Sequence, residues 1–217
     1  EINAVNATLE FSTYLKKYID LRRSDPQDDL ITQLIEVQEE GSKLTEEELI
    51  ANCVLLLNAG HEATVNVIGN GLYALLKHPD QLQRLREEPA LIDSAVEELL
   101  RYDTPLHFFK RWVLDDTEIS GKFFSFKTQV AVLLGAANHD PAVFDLPDQL
   151  DITRKKNPHL SFGGGIHFCV GAPLARLELQ TAIPILLERL PDLRLKTEPR
   201  FANTYHFRAL ESLVVEY

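Results

Sequence analysis

The sequence predicts a mainly α-helical fold with small β-sheets, and three observations carry that expectation. A helical pattern runs without a strong stop from Glu46 to Lys77, between a capping signal and His78-Pro79. Short aromatic or β-branched runs separated by turn residues begin only after residue 105. A further helical stretch then runs from about Gly171 to Leu190 and stops at Pro191. With 45% apolar residues, the 217-residue chain can bury a sizeable core, as one large domain or two small ones.

The elements follow in order. Residues 1–23 read as a helix, with Ile2, Val5, Leu9, Thr13, Leu15 and Ile19 roughly along one face. Asp25-Pro26 restarts a helix through about Glu40, because Pro fits a first turn and Leu30, Leu34 and Val37 keep helical spacing. Gly41 ends it. Thr45-Glu46-Glu47-Glu48 is a capping box, Thr45 capping and Glu48 reaching back. The helix after it would be about 48 Å long at 1.5 Å per residue, long enough to cross a domain. Its centre, "LLLNAGHEATVNVIG", is apolar nearly all round, which predicts burial, yet it holds His61 and Glu62. Shorter helices are expected at 80–88 and 91–102, the second stopping before Thr104-Pro105. "HFFKRWVLDD", "EISGKFFSF" and "QVAVLL" read as small sheets. Residues 135–170 are mostly turns and loop, a length that usually marks function. The tail, "YHFRALESLVVEY", alternates as a terminal hairpin would.

Composition excludes several roles. The chain carries 22 Lys and Arg against 33 Asp and Glu, a formal charge of −11, which argues against general nucleic-acid binding. Two cysteines, Cys53 and Cys169, cannot build a disulfide framework and suit a reducing cytoplasm. The longest apolar stretch, Leu49 to Gly60, is interrupted by Asn52 and Asn58 and is too short for a membrane segment. No charged-then-apolar leader opens the sequence as given, and no repeat or linker divides it.

The chemistry concentrates in "SFGGGIHFCV", residues 161–170. A glycine-rich loop before a helix could cradle phosphate, but neither phosphate-binding glycine pattern is present. A zinc site would need paired Cys or His, and there is no second pair. A nucleophilic Cys with His167 as base would have its base pointing along the same face. A lone Cys is more often a small buried hydrophobe.

The spacing Phe162-Gly163-x-Gly165-x-His167-x-Cys169-x-Gly171 resembles the haem-binding loop of the cytochrome P-450 family, the haem-thiolate monooxygenases. The resemblance implies haem b (iron protoporphyrin IX) as cofactor, Cys169 as its axial metal ligand and His167 on a haem propionate. Glycines would let the backbone lie close to a flat macrocycle, and the helix beginning near Gly171 would stabilise the thiolate. "AGHEAT", residues 59–64, is similar to the family's oxygen-binding element, which implies that Ala59 and Gly60 leave a slot for dioxygen and that Glu62 delivers protons. Glu98-x-x-Arg101 would be an ordinary solvated pair on its own; in the family it is a buried ion pair that fixes the fold around the cysteine loop. Arg111 falls where the family places a propionate-binding arginine. "LLGAANHDPAVF" and "GAPLARLE" match bacterial, soluble members. By the family's layout, Leu106, His107, Phe108, Tyr205, His206 and Phe207 border the substrate.

Between Asp151 and Glu178 the sequence has no acid, while Arg154, Lys155, Lys156 and Arg176 are basic. This predicts a docking face for an acidic electron-transfer partner, which the resemblance implies is ferredoxin-like. Three departures from the family pattern stand out. Ala63 occupies the position usually held by threonine, and Thr64, 100° further round the helix, cannot simply replace it. A substrate hydroxyl or water fills in, or coupling is poor. Gln149 stands where a basic or histidine side chain completes the Glu98–Arg101 pair. A soluble member is also nearly twice as long, which implies that residues 1–217 are the C-terminal part of a single P-450 domain whose N-terminal half is absent, a fragment or one half of an assembly. The expected function is insertion of one oxygen atom from O2 into a small organic substrate, with electrons from the ferredoxin-like partner. The alternative is a non-catalytic haem-binding or partner-binding half, degenerate at Ala63 and Gln149.

Overall fold

The computed structural model describes residues 2–41 and 44–217. The chain forms two compact units, Glu1–His61 and Glu62–Tyr217. The first contains α1 (Ile2–Ser24), α2 (Leu30–Gly41) and the opening half of α3 (Glu46–Lys77). Leu15, Ile19, Ile35, Leu49 and Cys53 make its core, with Phe11, Ile31, Leu34, Ile50 and Val54 packed around them. On α1 the buried stripe is therefore Phe11, Leu15 and Ile19, an i,i+4 series. Val5 and Leu9, expected on that face, are exposed. Helix α2 begins later than Pro26 suggests, because Asp29 caps it: its carboxylate accepts the Thr32 N–H at 2.9 Å and the Thr32 hydroxyl at 3.0 Å. Residues 42 and 43, just past Gly41, lie outside the described residues. The capping box is formed at α3, with Glu48 N–H on Thr45 Oγ1 at 3.2 Å and Thr45 N–H on Glu48 Oε2 at 2.7 Å.

The second unit packs the closing half of α3 with α4 (Pro79–Glu87), α5 (Ile92–Tyr102) and α7 (Ala172–Arg189). Val67, Leu72, Leu75, Leu82, Leu85, Val96, Leu99, Leu179, Ile183 and Leu187 are buried together. Helices α3 and α5 meet closely at Gly71, where an added Cβ would come within 3.3 Å of Leu99 Cδ1. Along α3 the buried positions lie toward its two ends, Leu49 and Cys53 in the opening half and Val67, Asn70, Leu72, Ala74 and Leu75 in the closing half. Leu55, Leu57 and Val65 are exposed, so the expectation of a helix buried at its centre does not hold in this chain.

Three small antiparallel sheets complete the unit. Strand β1 (Phe108–Trp112) pairs with β4 (Gln129–Leu133), Arg111 opposite Val130. Strands β2 (Thr117–Ile119) and β3 (Lys122–Phe124) form a hairpin around Ser120-Gly121, both with positive φ as a tight twisted turn requires. Strand β5 (Arg194–Leu195) pairs with β6 (Val215–Glu216), and a bridge joins Phe201 to Leu210. The tail is thus one arm of a hairpin whose other arm lies upstream, rather than a hairpin by itself. The expected loop at 135–170 contains the short α6 (Leu134–Ala137) and a 3-10 turn, Gly165–His167. Among the described residues no helix is long and apolar enough to cross a membrane.

Candidate active site

Cys169 lies between the 3-10 turn and the N-terminus of α7. Gly163 and Gly165 have φ of +71° and +63°, a region that L side chains avoid, so these two positions require glycine. Gly164 (φ −165°) and Gly171 (φ −82°) do not. An added Cβ meets nothing within 4 Å at Gly164 and makes an ordinary 3.9 Å contact with Cys169 Sγ at Gly171. The loop is closed by the N–H of Gly163 on Leu160 O at 2.8 Å, of Phe168 on Gly165 O at 3.1 Å and of Cys169 on Phe162 O at 2.9 Å. Its outer side is bare: the thiol is exposed, Ile166 is 97% and Val170 89% exposed, and His167 and Phe168 are exposed as well.

Helix α5 anchors the approach to this loop through two adjacent carboxylates. Neighbours on a helix are about 100° apart, so Glu97 and Glu98 serve different partners. Glu98 and Arg101 are fully buried and form a bidentate pair, both contacts 2.8 Å. Arg101 gives its remaining N–H groups to the carbonyls of Asn138, Pro147 and Gln149 at 2.9, 2.8 and 3.1 Å. Glu98 also accepts the Asp151 N–H at 2.9 Å, Arg154 Nε at 3.1 Å and Asn157 Nδ2 at 3.1 Å. The charged third partner of the pair is therefore Arg154, and Gln149 takes part through its backbone carbonyl. The expectation that position 149 supplies the side chain completing the pair, with a charge lost there, is corrected accordingly.

Glu97 accepts Arg176 Nε and Nη2 at 2.6 and 2.8 Å and faces His159 Nε2 at 3.1 Å. His159 Nδ1 accepts the Ser161 N–H at 3.2 Å, which places the ring proton on Nε2 as the donor to Glu97. Burial alone pushes the Glu97 carboxyl up, but the hydrogen bonds from Arg176 and His159 outweigh it and hold it at about 2. Asn138 pins the next residues, its Oδ1 taking the Leu160 N–H at 2.8 Å and its Nδ2 donating to Ser161 Oγ at 2.9 Å. The Ser161 hydroxyl donates to Leu100 O at 2.7 Å. Sequence reasoning missed Glu97, Asn138, His159 and Ser161, because apart from the His159–Ser161 contact their partners lie more than twenty residues away. The one available signal was a buried-type "EE" doublet on a helix with a single expected acceptor.

The basic face is also altered. Arg154 and Arg176, two of its four expected cations, are paired with Glu98 and Glu97, acids that the sequence window 152–177 does not contain. Lys155 and Lys156 are exposed. Arg111 is exposed on β1, its Nη1 on Lys110 O at 2.9 Å. On α3, Ala59, Gly60 and Glu62 are exposed, so Glu62 is not the costly buried acid that the apolar pattern implied; Ala63 and Thr64 are half-buried. The six expected substrate-border residues come from two distant segments that the fold joins: Leu106 bridges Phe207, His107 N–H bonds His206 O at 3.2 Å, and the Phe108 and Tyr205 rings meet edge-on at 5.1 Å. A cavity of about 400 Å³ nearby, whose lining includes Tyr102, Asp103, His107, His139, Asp148 and Arg208, takes in none of the other five.

The donor set fits a prosthetic group rather than a protein-caged ion. Among the described residues no group of three or more His, Cys, Asp or Glu could hold a metal. One exposed thiol ringed by exposed aliphatic and aromatic side chains suits a flat apolar ligand that brings its own equatorial donors.

A model of the family "Cytochrome P450" matches residues 3–199. The chain is 50% identical over 205 residues to the biotin biosynthesis cytochrome P450 of Bacillus subtilis (strain 168), covering 94% of this chain and 52% of that protein. It is 46% identical over 208 residues to cytochrome P450 CYP107DY1 of Priestia megaterium, covering 95% and 51%. Among solved structures, P450BioI in complex with hexadec-9Z-enoic acid ligated acyl carrier protein superposes with a TM-score of 0.92 at 49% identity, over 96% of this chain and 54% of that one. CYP109E1 from Bacillus megaterium in complex with testosterone gives 0.93 at 36%, over 98% and 59%. The chain spans about half the length of the curated relatives it matches.

Proposed function

The chain belongs to the cytochrome P450 family, and from that premise we propose that it forms the haem-ligating part of a monooxygenase, with Cys169 as the axial ligand of haem b. The observation that carries this reading is the exposed Cys169 thiol on a loop turned by left-handed Gly163 and Gly165, directly before α7. When bound, thiolate-ligated haem supplies activation of dioxygen and insertion of one oxygen atom into a substrate. The chain's own residues bind and orient. The N-terminus of α7 favours a negative sulfur. His167 and Arg111, both exposed donors, would take the propionates. Glu62 would hold and pass a proton at its carboxylate, with Ala59 and Gly60 leaving room for dioxygen; with Ala63 carrying no hydroxyl, Thr64 or water would supply one. Leu106, His107, Phe108, Tyr205, His206 and Phe207 would border the substrate.

Electrons would come from a ferredoxin-like protein, docking by charge at exposed Lys155 and Lys156. The exposed apolar residues beside Cys169, together with the half-length coverage of the relatives, support a site completed by the segment or separate chain that corresponds to the relatives' other half. Both cysteines are free, which suits a reducing compartment such as the cytoplasm. The first substrate to test is a fatty acyl chain on acyl carrier protein, because a neighbour 49% identical is solved with one. The haem-loaded chain, combined with the complementary half, the donor and this substrate under isotopically labelled dioxygen, should yield product with one labelled oxygen. Cys169→Ser should yield none. Haem binding without labelled product would favour the non-catalytic reading, for which Ala63 is the supporting feature.

A further inference from the structure

We propose that Glu97, Arg176 and His159 are positioning residues for the Cys169 loop and act through Phe162. The Arg176 guanidinium carbon lies 4.6 Å from the Phe162 ring centroid, while the same group donates twice to Glu97, at 2.6 and 2.8 Å. The His159 ring stands 6.0 Å from the Phe162 ring, tilted by 48°. Its Nε2 faces the carboxylate at 3.1 Å. One carboxylate therefore holds together the arginine and the histidine that grip Phe162. The Phe162 carbonyl in turn accepts the Cys169 N–H at 2.9 Å. Ring and carbonyl belong to one residue, so holding the ring restrains the residue whose carbonyl accepts the cysteine's own N–H. The grip needs a planar fork that stacks and pairs at once, which lysine cannot supply. A second link between the same helices, Gln180 Nε2 to Asp93 Oδ1 at 2.9 Å, lies one turn further along α7 and does not involve Phe162.

The clamp's effect at iron rests on the haem-thiolate reading; its effect on the loop does not. The primary test is hydrogen–deuterium exchange of the Cys169 amide in the full chain without haem. Arg176→Ala and Arg176→Lys should each speed that exchange about tenfold relative to wild type, since local opening costs less once a charge-assisted contact is gone. Gln180→Ala should leave it unchanged. Arg176→Lys and Glu97→Gln carry the test even where Arg176→Ala does not fold. In haem-loaded protein the same variants should move part of the carbon monoxide difference band from the thiolate type to the nitrogen type, and Gln180→Ala should not. Exchange equal to wild type in Arg176→Lys and Glu97→Gln, or equally raised in Gln180→Ala, would overturn the clamp. Faster exchange in the variants, with no thiolate-type band in wild type either alone or with the complementary half, would support the clamp and overturn the haem reading.

Discussion

Arg101 spends all five of its N–H donors on the chain itself, and Glu98 answers with contacts to Arg101, Asp151, Arg154 and Asn157. Removing one partner leaves the other charged and buried, so Arg101→Ala or Glu98→Ala should cost about 3–5 kcal/mol in denaturant unfolding. Glu97 gives a pH dependence of definite sign. Its carboxyl sits at about 2 instead of 4.5, because the hydrogen bonds from Arg176 and His159 outweigh the opposing effect of burial. A depressed carboxylate stabilises the fold above its unfolded value, and that contribution is lost as pH falls through the folded one. The stability difference between wild type and Glu97→Gln should therefore shrink between pH 4.5 and about 2. Its size should be roughly 1–2 kcal/mol once solvent screening at this half-buried site is allowed for. In the cysteine loop, Gly165→Ala should destabilise by about 1–2 kcal/mol, the cost of a left-handed residue with a Cβ, while Gly164→Ala should be tolerated. The glycine triplet was legible in sequence as a bare backbone. Which of its members carry positive φ was not, because that depends on how the turn closes onto Leu160 and Phe162.

Helix limits were legible wherever the signal is local. The Thr45–Glu48 box starts α3 where its spacing says, and Thr45→Ala should lower stability by about 1 kcal/mol, read from thermal unfolding. The start of α2 was misjudged because Pro26 and Asp29 both signal an N-terminus, and the side chain that accepts the Thr32 N–H decides between them. Burial along an apolar helix was not legible at all. A sequence shows that residues 55–65 are mostly apolar, not whether the same chain supplies something to cover them. The tail misled for a related reason, since alternation predicts a strand and leaves its partner unspecified: Val215 found Leu195, and Phe207 found Leu106. Charge patterning was incomplete at 151–178, where acids from α5 pair Arg154 and Arg176 and leave Lys155 and Lys156 exposed.

At the scale of the molecule, Glu97, Glu98, Arg101, Asn138, Ser161 and Arg176 together fix the residues from 138 to 162 against α5 and α7. What that scaffold presents is a single exposed thiol with apolar neighbours. A family match over residues 3–199 and a superposition covering 96% of this chain and 54% of a solved relative agree with the family read from ten residues. The central claim is that Cys169 ligates haem iron through its thiolate. The most direct measurement is the carbon monoxide difference spectrum of the reduced, haem-loaded chain beside Cys169→Ser, recorded alone and with the complementary half. The account predicts a band near about 450 nm, the mark of thiolate ligation, in wild type and its absence in the variant. A nitrogen-type band in wild type under both conditions, or a thiolate-type band that survives Cys169→Ser, would contradict it.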